Sequence, residues 1–134
     1  MSADVFLDTN ILIYAISQDA TRATRAAALL RQGGTISVQV LNEFTSVARR
    51  KLRRSWPETI DALGALRVLF PDPAPISLAT HEAALKIAQR DGFAFYDSLI
   101  IATALEAGCS TLLSEDMQHG RIIDGRLTVR NPFL

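Results

Sequence analysis

A chain of 134 residues, 49% apolar and 21% charged, is long enough for one domain with a genuine core and too apolar to stay disordered. Its 14 basic and 14 acidic residues cancel, so no global field draws it to nucleic acid or to an anionic membrane, and any such binding must come from local clusters. No apolar run approaches the roughly 18 residues that suggest a membrane span, no charged-then-apolar leader opens the chain, and the single cysteine, Cys109, cannot form an internal disulfide, so a soluble, cytoplasmic protein is expected.

Val5, Phe6 and Leu7 read as the end of a buried strand, and Ile11, Leu12 and Ala15 recur at helical spacing. Asp8, Thr9 and Asn10 therefore form the junction, where Asp8 or Asn10 can cap the following helix. "DATRATRAAALLRQGG" predicts a second helix, with Arg22, Arg25 and Arg31 as spaced charges and a stop at Gly33 and Gly34. A brief strand is expected at Thr35 to Ser37, with Ser37 capping a helix that carries Val40, Leu41, Phe44, Val47 and Ala48. Ser55 and Glu58 have capping-box spacing and Pro57 falls in a first turn, where its missing donor costs little. "PDPAP" breaks that helix. Another amphipathic helix ends near Gly92, and a more apolar and hence central one, "FAFYDSLIIATALEAG", ends at Gly108. "CSTLLSED" reads as a buried strand and "RLTVRNPF" as a short edge strand, with "MQHGRIIDG" as the loop between them.

Strands alternating with helices imply one α/β domain over residues 1–134, with a parallel sheet covered on both faces, because right-handed crossovers place helices there. In such open sheets the functional crevice lies at the carboxyl ends of the strands. Asp8 is expected at that edge.

Three more acidic residues resemble Asp8 in being flanked by apolar neighbours: Glu43, Asp97 and Asp116. Taken singly, each has an ordinary structural explanation. Glu43 is then a helix-face charge, Asp97 a charge near a helix amino terminus and Asp116 a turn residue. Taken together, they are four carboxylates arriving from four segments, which repulsion opposes unless cations sit between them. Oxygen ligands without convergent His or Cys suit magnesium or manganese rather than zinc, and His81 on a helix surface and His119 in a loop do not form a zinc pair.

The stretches "FLDTNILIY", "LNEF", "FYDSLIIATAL" and "LLSEDMQHG", in this order and separation, resemble the acidic motifs of the PIN-domain ribonucleases, and specifically of the VapC-type toxins of toxin-antitoxin pairs. The resemblance covers essentially the whole chain, including the ending "NPF". It implies a PIN-like three-layer fold with a central, mainly parallel, twisted sheet of four to five strands. It also implies that Asp8, Glu43, Asp97 and Asp116 form the acidic cluster, with Asn10 and Ser114 as supporting polar groups; whether Glu115 contributes beside Asp116 stays open. RNA as substrate, a homodimer and a VapB-type antitoxin partner are implied as well, as are products with 5′-phosphate and 3′-hydroxyl ends.

Phosphodiester hydrolysis needs a deprotonated water in line with the leaving oxygen and cations that stabilise the developing charge, which one or two Mg2+ ions about 3.5 to 4 Å apart can supply, Mn2+ substituting. On this reading Asp8 and Asp97 are the main direct ligands, Glu43 is a ligand or orients the water, and Asp116 holds a weaker second metal. Asn10 and Ser114 fix carboxylate rotamers by hydrogen bonding.

"RRKLRR", Arg49 to Arg54, is the one dense charge run. It is either a solvated helix end or a binding stripe: on a regular helix Arg50 and Arg54 lie about 20° to either side of Glu43, roughly 10 and 16 Å along the axis, where they could contact RNA phosphates or an acidic antitoxin segment. Two rival functions share the fold class. A receiver-type phosphoacceptor domain would need paired acids after the first strand and a suitably placed late lysine, and the sequence offers neither. A catalytically inactive PIN-fold module acting through protein contacts would have no use for four carboxylates.

Overall fold

The computed structural model describes residues 4–134. Its elements follow in the order β1 (Val5–Leu7), α1 (Thr9–Ala15), α2 (Ala20–Gln32), α3 (Val38–Arg50), α4 (Trp56–Leu69), α5 (Leu78–Asp91), α6 (Phe95–Glu106), β2 (Thr111–Leu113), β3 (Ile122–Ile123) and β4 (Leu127–Arg130). The sheet runs β1-β2-β4-β3, parallel through its first three strands and antiparallel between β4 and β3. Phe6 and Leu7 are both fully buried. Since successive strand residues point to opposite faces, both faces of the sheet are covered, as expected of an α/β, PIN-like layered fold.

Helix boundaries follow local chemistry. Ser37 Oγ accepts from the Val40 amide at 3.1 Å and starts α3. Ser55 and Glu58 close a reciprocal capping box on α4, with Pro57 in its first turn. Gly92 ends α5 in the left-handed conformation at φ 79°, which glycine adopts without penalty. Every residue of α6 from Ser98 to Ala104 is buried, the signature of a helix enclosed on all sides, and it packs against α5 and α3. Phe6, Ile11, Leu12, Val40, Phe44, Ile100, Leu112 and Val129 complete one core with it. Each such fully buried side chain contributes about 1.5 to 3 kcal/mol relative to exposure.

Three expectations are corrected. "RLTVRNPF" does not supply an edge strand: β4 lies between β2 and β3, and the edge is β3, inside the stretch expected to be loop. Asp124 and Gly125 both take positive φ, 53° and 62°, and the Arg126 amide bonds to the Ile123 carbonyl at 3.0 Å. That is an Asp-Gly turn within a three-residue connection, 124–126, which closes a hairpin and pairs Ile122–Ile123 back onto β4. Thr35 and Ser37 form single bridges to Phe6 and Ala74 in place of a strand.

The third correction concerns Arg54. Helix α3 stops at Arg50, Lys51 caps it, and Arg53 turns the chain at φ 54°. Arg54 therefore leaves the helical stripe, and its guanidinium donates to the Ile16 carbonyl at 2.6 Å. Among the described residues no helix is long and apolar enough to cross a membrane.

Candidate functional site

Strand register builds the floor of the site. Because Leu7 pairs with Leu113, the next residues of the two parallel strands, Asp8 and Ser114, stand side by side at the carboxyl edge of the sheet. Ser114 Oγ donates to Asp8 Oδ2 at 2.8 Å, and the Thr9 amide donates to Oδ1 at 2.7 Å, so Asp8 also caps α1. The capping explanation of this residue is thus satisfied. Asp8 is buried, and burial pushes its carboxyl up to about 7; the Ser114 and Thr9 hydrogen bonds pull it back, while the Glu43 and Asp97 charges raise it further.

The other carboxylates arrive from separate elements. Glu43 projects from the second turn of α3, where Oε1 accepts from Thr9 Oγ1 at 2.7 Å and Oε2 from Gln39 Nε2 at 3.1 Å. Asp97 lies in the first turn of α6. Burial raises its carboxyl above the ordinary range, and the Asp116 and Glu43 charges add to the rise. No side-chain hydrogen bond caps α6, so Asp97 makes no cap bond and stands at the helix amino terminus as a first-turn charge. Asp116, beyond β2, is exposed and accepts from Asn10 Nδ2 at 2.6 Å.

Asp8, Glu43, Asp97 and Asp116 line one cavity of about 170 Å3 together with Thr9, Asn10, Ser46, Val47 and Arg50. Ser114 stands behind Asp8, its oxygen also accepting from the Asp116 and Met117 amides at 3.3 and 3.4 Å. Arg50 reaches this cavity and Arg54 does not. Among the described residues no three acidic, His or Cys side chains are already gathered tightly enough to enclose a metal ion. Asp8, Glu43 and Asp116 each accept a hydrogen bond from a neutral side-chain donor, Ser114, Thr9 and Asn10 respectively. The donor set itself, four carboxylates without thiol or imidazole, fits a hard divalent cation.

Thr9 and Gln39 are the polar neighbours that sequence reading passes over. Gln39 could have been found, since it precedes Glu43 by four residues on one helix face. Thr9 touches two carboxylates at once through its amide and its hydroxyl. Glu115 turns the other way, pairing with Arg22 and with the Tyr14 hydroxyl, so Asp116 alone of the two faces the cavity. His119 Nδ1 accepts from the Asn131 amide at 2.9 Å, and exposed His81 packs edge-on against Phe95.

Residues 5–123 match the family model described as PIN domain, which takes in all four carboxylates. The chain belongs to the PIN domain family. No curated protein sequence matches it. Among solved structures, this PIN domain is similar to VapC20 of Mycobacterium tuberculosis, described as a toxin that cleaves the sarcin-ricin loop, at a TM-score of 0.68 and 18% identity over 84% of this chain and 89% of that one. It is similar also to VapBC2 of Rickettsia felis, solved bound to a DNA fragment from its promoter, at a TM-score of 0.68 and 20% identity over 95% of this chain and 97% of the other. At such identity the likeness concerns the fold.

Proposed function

We propose that this PIN domain is a Mg2+- or Mn2+-dependent endoribonuclease and the toxin of a VapBC-type pair. PIN domains are typically nucleases and generally use divalent metals, which sets the class. The observation that carries the proposal is the convergence of Asp8, Glu43, Asp97 and Asp116 on one cavity, with Asp8 and Asp97 both raised in pKa partly by their neighbours' charge. A divalent ion held by Asp8, Asp97 and Asp116 would relieve that repulsion.

When bound, the metal would supply charge stabilisation for the phosphodiester and acidify a water. The remaining work falls to the chain. Glu43, held at both oxygens by Thr9 and Gln39, is placed to orient the attacking water or to complete the ligand set. Asn10 and Ser114 fix the rotamers of Asp116 and Asp8. Arg50, at the rim of the same cavity, offers a cation to the RNA backbone. The match to an antitoxin-containing complex supports a VapB-type partner, which Arg50 could also meet, and a homodimer is part of the same proposal.

The test is cleavage of RNA by purified protein in excess chelator and after restoring Mg2+ or Mn2+. Loss and recovery of cleavage, with 5′-phosphate and 3′-hydroxyl ends, is the expected result. Equal cleavage in chelator, or 2′,3′-cyclic phosphate ends, would refute the metal mechanism.

A further inference from the structure

A cavity larger than the acidic one lies elsewhere on the molecule. Where α3 ends, a hollow of about 480 Å3 opens between the α3–α4 connection and the end of α1, and Lys51, Arg53 and Arg54 line it. Three cations face one carboxylate, Glu58, which is committed to the Ser55 amide at 2.8 Å. Arg54 is anchored by the Ile16 carbonyl. Lys51 and Arg53 are exposed, and their side chains engage no hydrogen bond or ion pair among the described residues. Arg53 also holds φ 54°, a left-handed conformation disfavoured for a residue with a side chain. A strained backbone that presents an unpaired cation invites a binding role.

We infer that this hollow is a phosphate-binding subsite for the RNA backbone, remote from the scissile bond. The inference rests on the nuclease reading and deepens it. Arg50 rims the carboxylate cavity and Lys51, its neighbour in the chain, enters the hollow, so the two sites adjoin along one helix end. An RNA strand whose reacting phosphate sits among carboxylates needs cations for the phosphates on either side, and a chain of zero net charge can provide them only locally. An acidic peptide is the weaker candidate, because the hollow contains no aromatic anchor of the kind that dominates protein interfaces, only Ile16 and Leu52 as apolar lining.

The experiment measures binding of a fluorescent oligouridylate at several salt concentrations, with Asp97→Asn protein as the cleavage-deficient parent. Adding Lys51→Ala and Arg53→Gly should lower the slope of log affinity against log salt by about 0.7 for each lost phosphate contact. With Asp97 intact, the same two substitutions should leave Mn2+ affinity within about twofold of wild type. Arg53→Gly frees the left-handed position, so the variant should melt no lower than its parent; Lys51→Gln alone gives a second reading if it does. Replacing one phosphate at a time with neutral methylphosphonate should reveal a position that weakens binding to the parent but not to the variant. An unchanged slope, or a loss confined to oligoglutamate binding, overturns the subsite. If wild type cleaves RNA while the slope ignores these residues, only the subsite falls. If the slope responds but wild type never cleaves, the nuclease reading falls instead, and absence of RNA binding removes both.

Discussion

Ser114 donates its hydroxyl to Asp8 Oδ2 across 2.8 Å, a buried contact between the carboxyl ends of two adjacent parallel strands. It lowers a carboxyl that burial raises to about 7. Ser114→Ala removes the donor and leaves the carboxyl more basic, so metal affinity should fall by about 10- to 100-fold, as losses of ligand-orienting hydrogen bonds do. The deficit should be larger at pH 7 than at pH 8.5, where Asp8 is ionised regardless. Calorimetric Mn2+ titrations at both values check this; equal affinity would make Ser114 a mere packing residue.

Metal-free stability should fall as pH rises. Asp8 titrates at about 7 in the folded chain against 3.8 when unfolded, so between those values the native state binds the extra proton and each rise in pH costs stability. The effect is at most about 1.4 kcal/mol per pH unit and vanishes below the unfolded value. Thermal melts in chelator at pH 5 and pH 8 should show wild type losing more than Asp8→Asn over that interval. Parallel losses would assign the pH dependence to other groups.

Asp97→Asn keeps the side-chain shape and deletes one charge. Two carboxylates about 5 Å apart repel by roughly 3 kcal/mol at an effective dielectric of 20, and solvent and proton uptake reduce this. The metal-free variant should therefore be more stable by about 1 kcal/mol, a few degrees in Tm. Mg2+ should raise the Tm of wild type much more than that of the variant, at equal protein concentration. A lower metal-free Tm, with Mg2+ helping both alike, would make Asp97 a helix-terminus charge after all.

Glu115 and Asp116 are neighbours with opposite assignments. Glu115→Gln weakens a partly exposed pair with Arg22, which is worth about 0 to 1 kcal/mol, and should leave Mn2+ affinity unchanged. Asp116→Asn should weaken Mn2+ binding with little effect on Tm. Reversal of the two outcomes would move the fourth carboxylate to Glu115.

Much of this fold was legible in local chemistry. Ser37, the Ser55–Glu58 pair and Gly92 mark helix ends because capping is a matter of a few adjacent residues. The unbroken apolar run of α6 announces its central position. The four acidic positions stood out as charges among apolar neighbours. Where reading failed, the deciding contact was distant or the turn signal was overlooked. The Asp124–Gly125 hairpin was present in the letters, but two-residue β3 is too short to show strand alternation. Arg54 left its helix because the chain turns at Arg53, a residue type that gives no warning of a left-handed conformation. Glu115 points to Arg22 and Tyr14 and Asp116 to Asn10, a division made by partners roughly a hundred positions away in the chain.

Metal capture by the carboxylate cluster is the most direct test of the proposed nuclease centre. Mn2+ titrated calorimetrically at pH 7 into metal-free protein, in two buffers of different ionisation enthalpy, reads both binding and proton release. With Asp8 near its midpoint, about half a proton should leave per bound ion, and Asp8→Asn should bind more weakly and release none from this position. Absence of Mn2+ binding, or binding of equal strength and equal proton release in the variant, would contradict a metal centre built on Asp8.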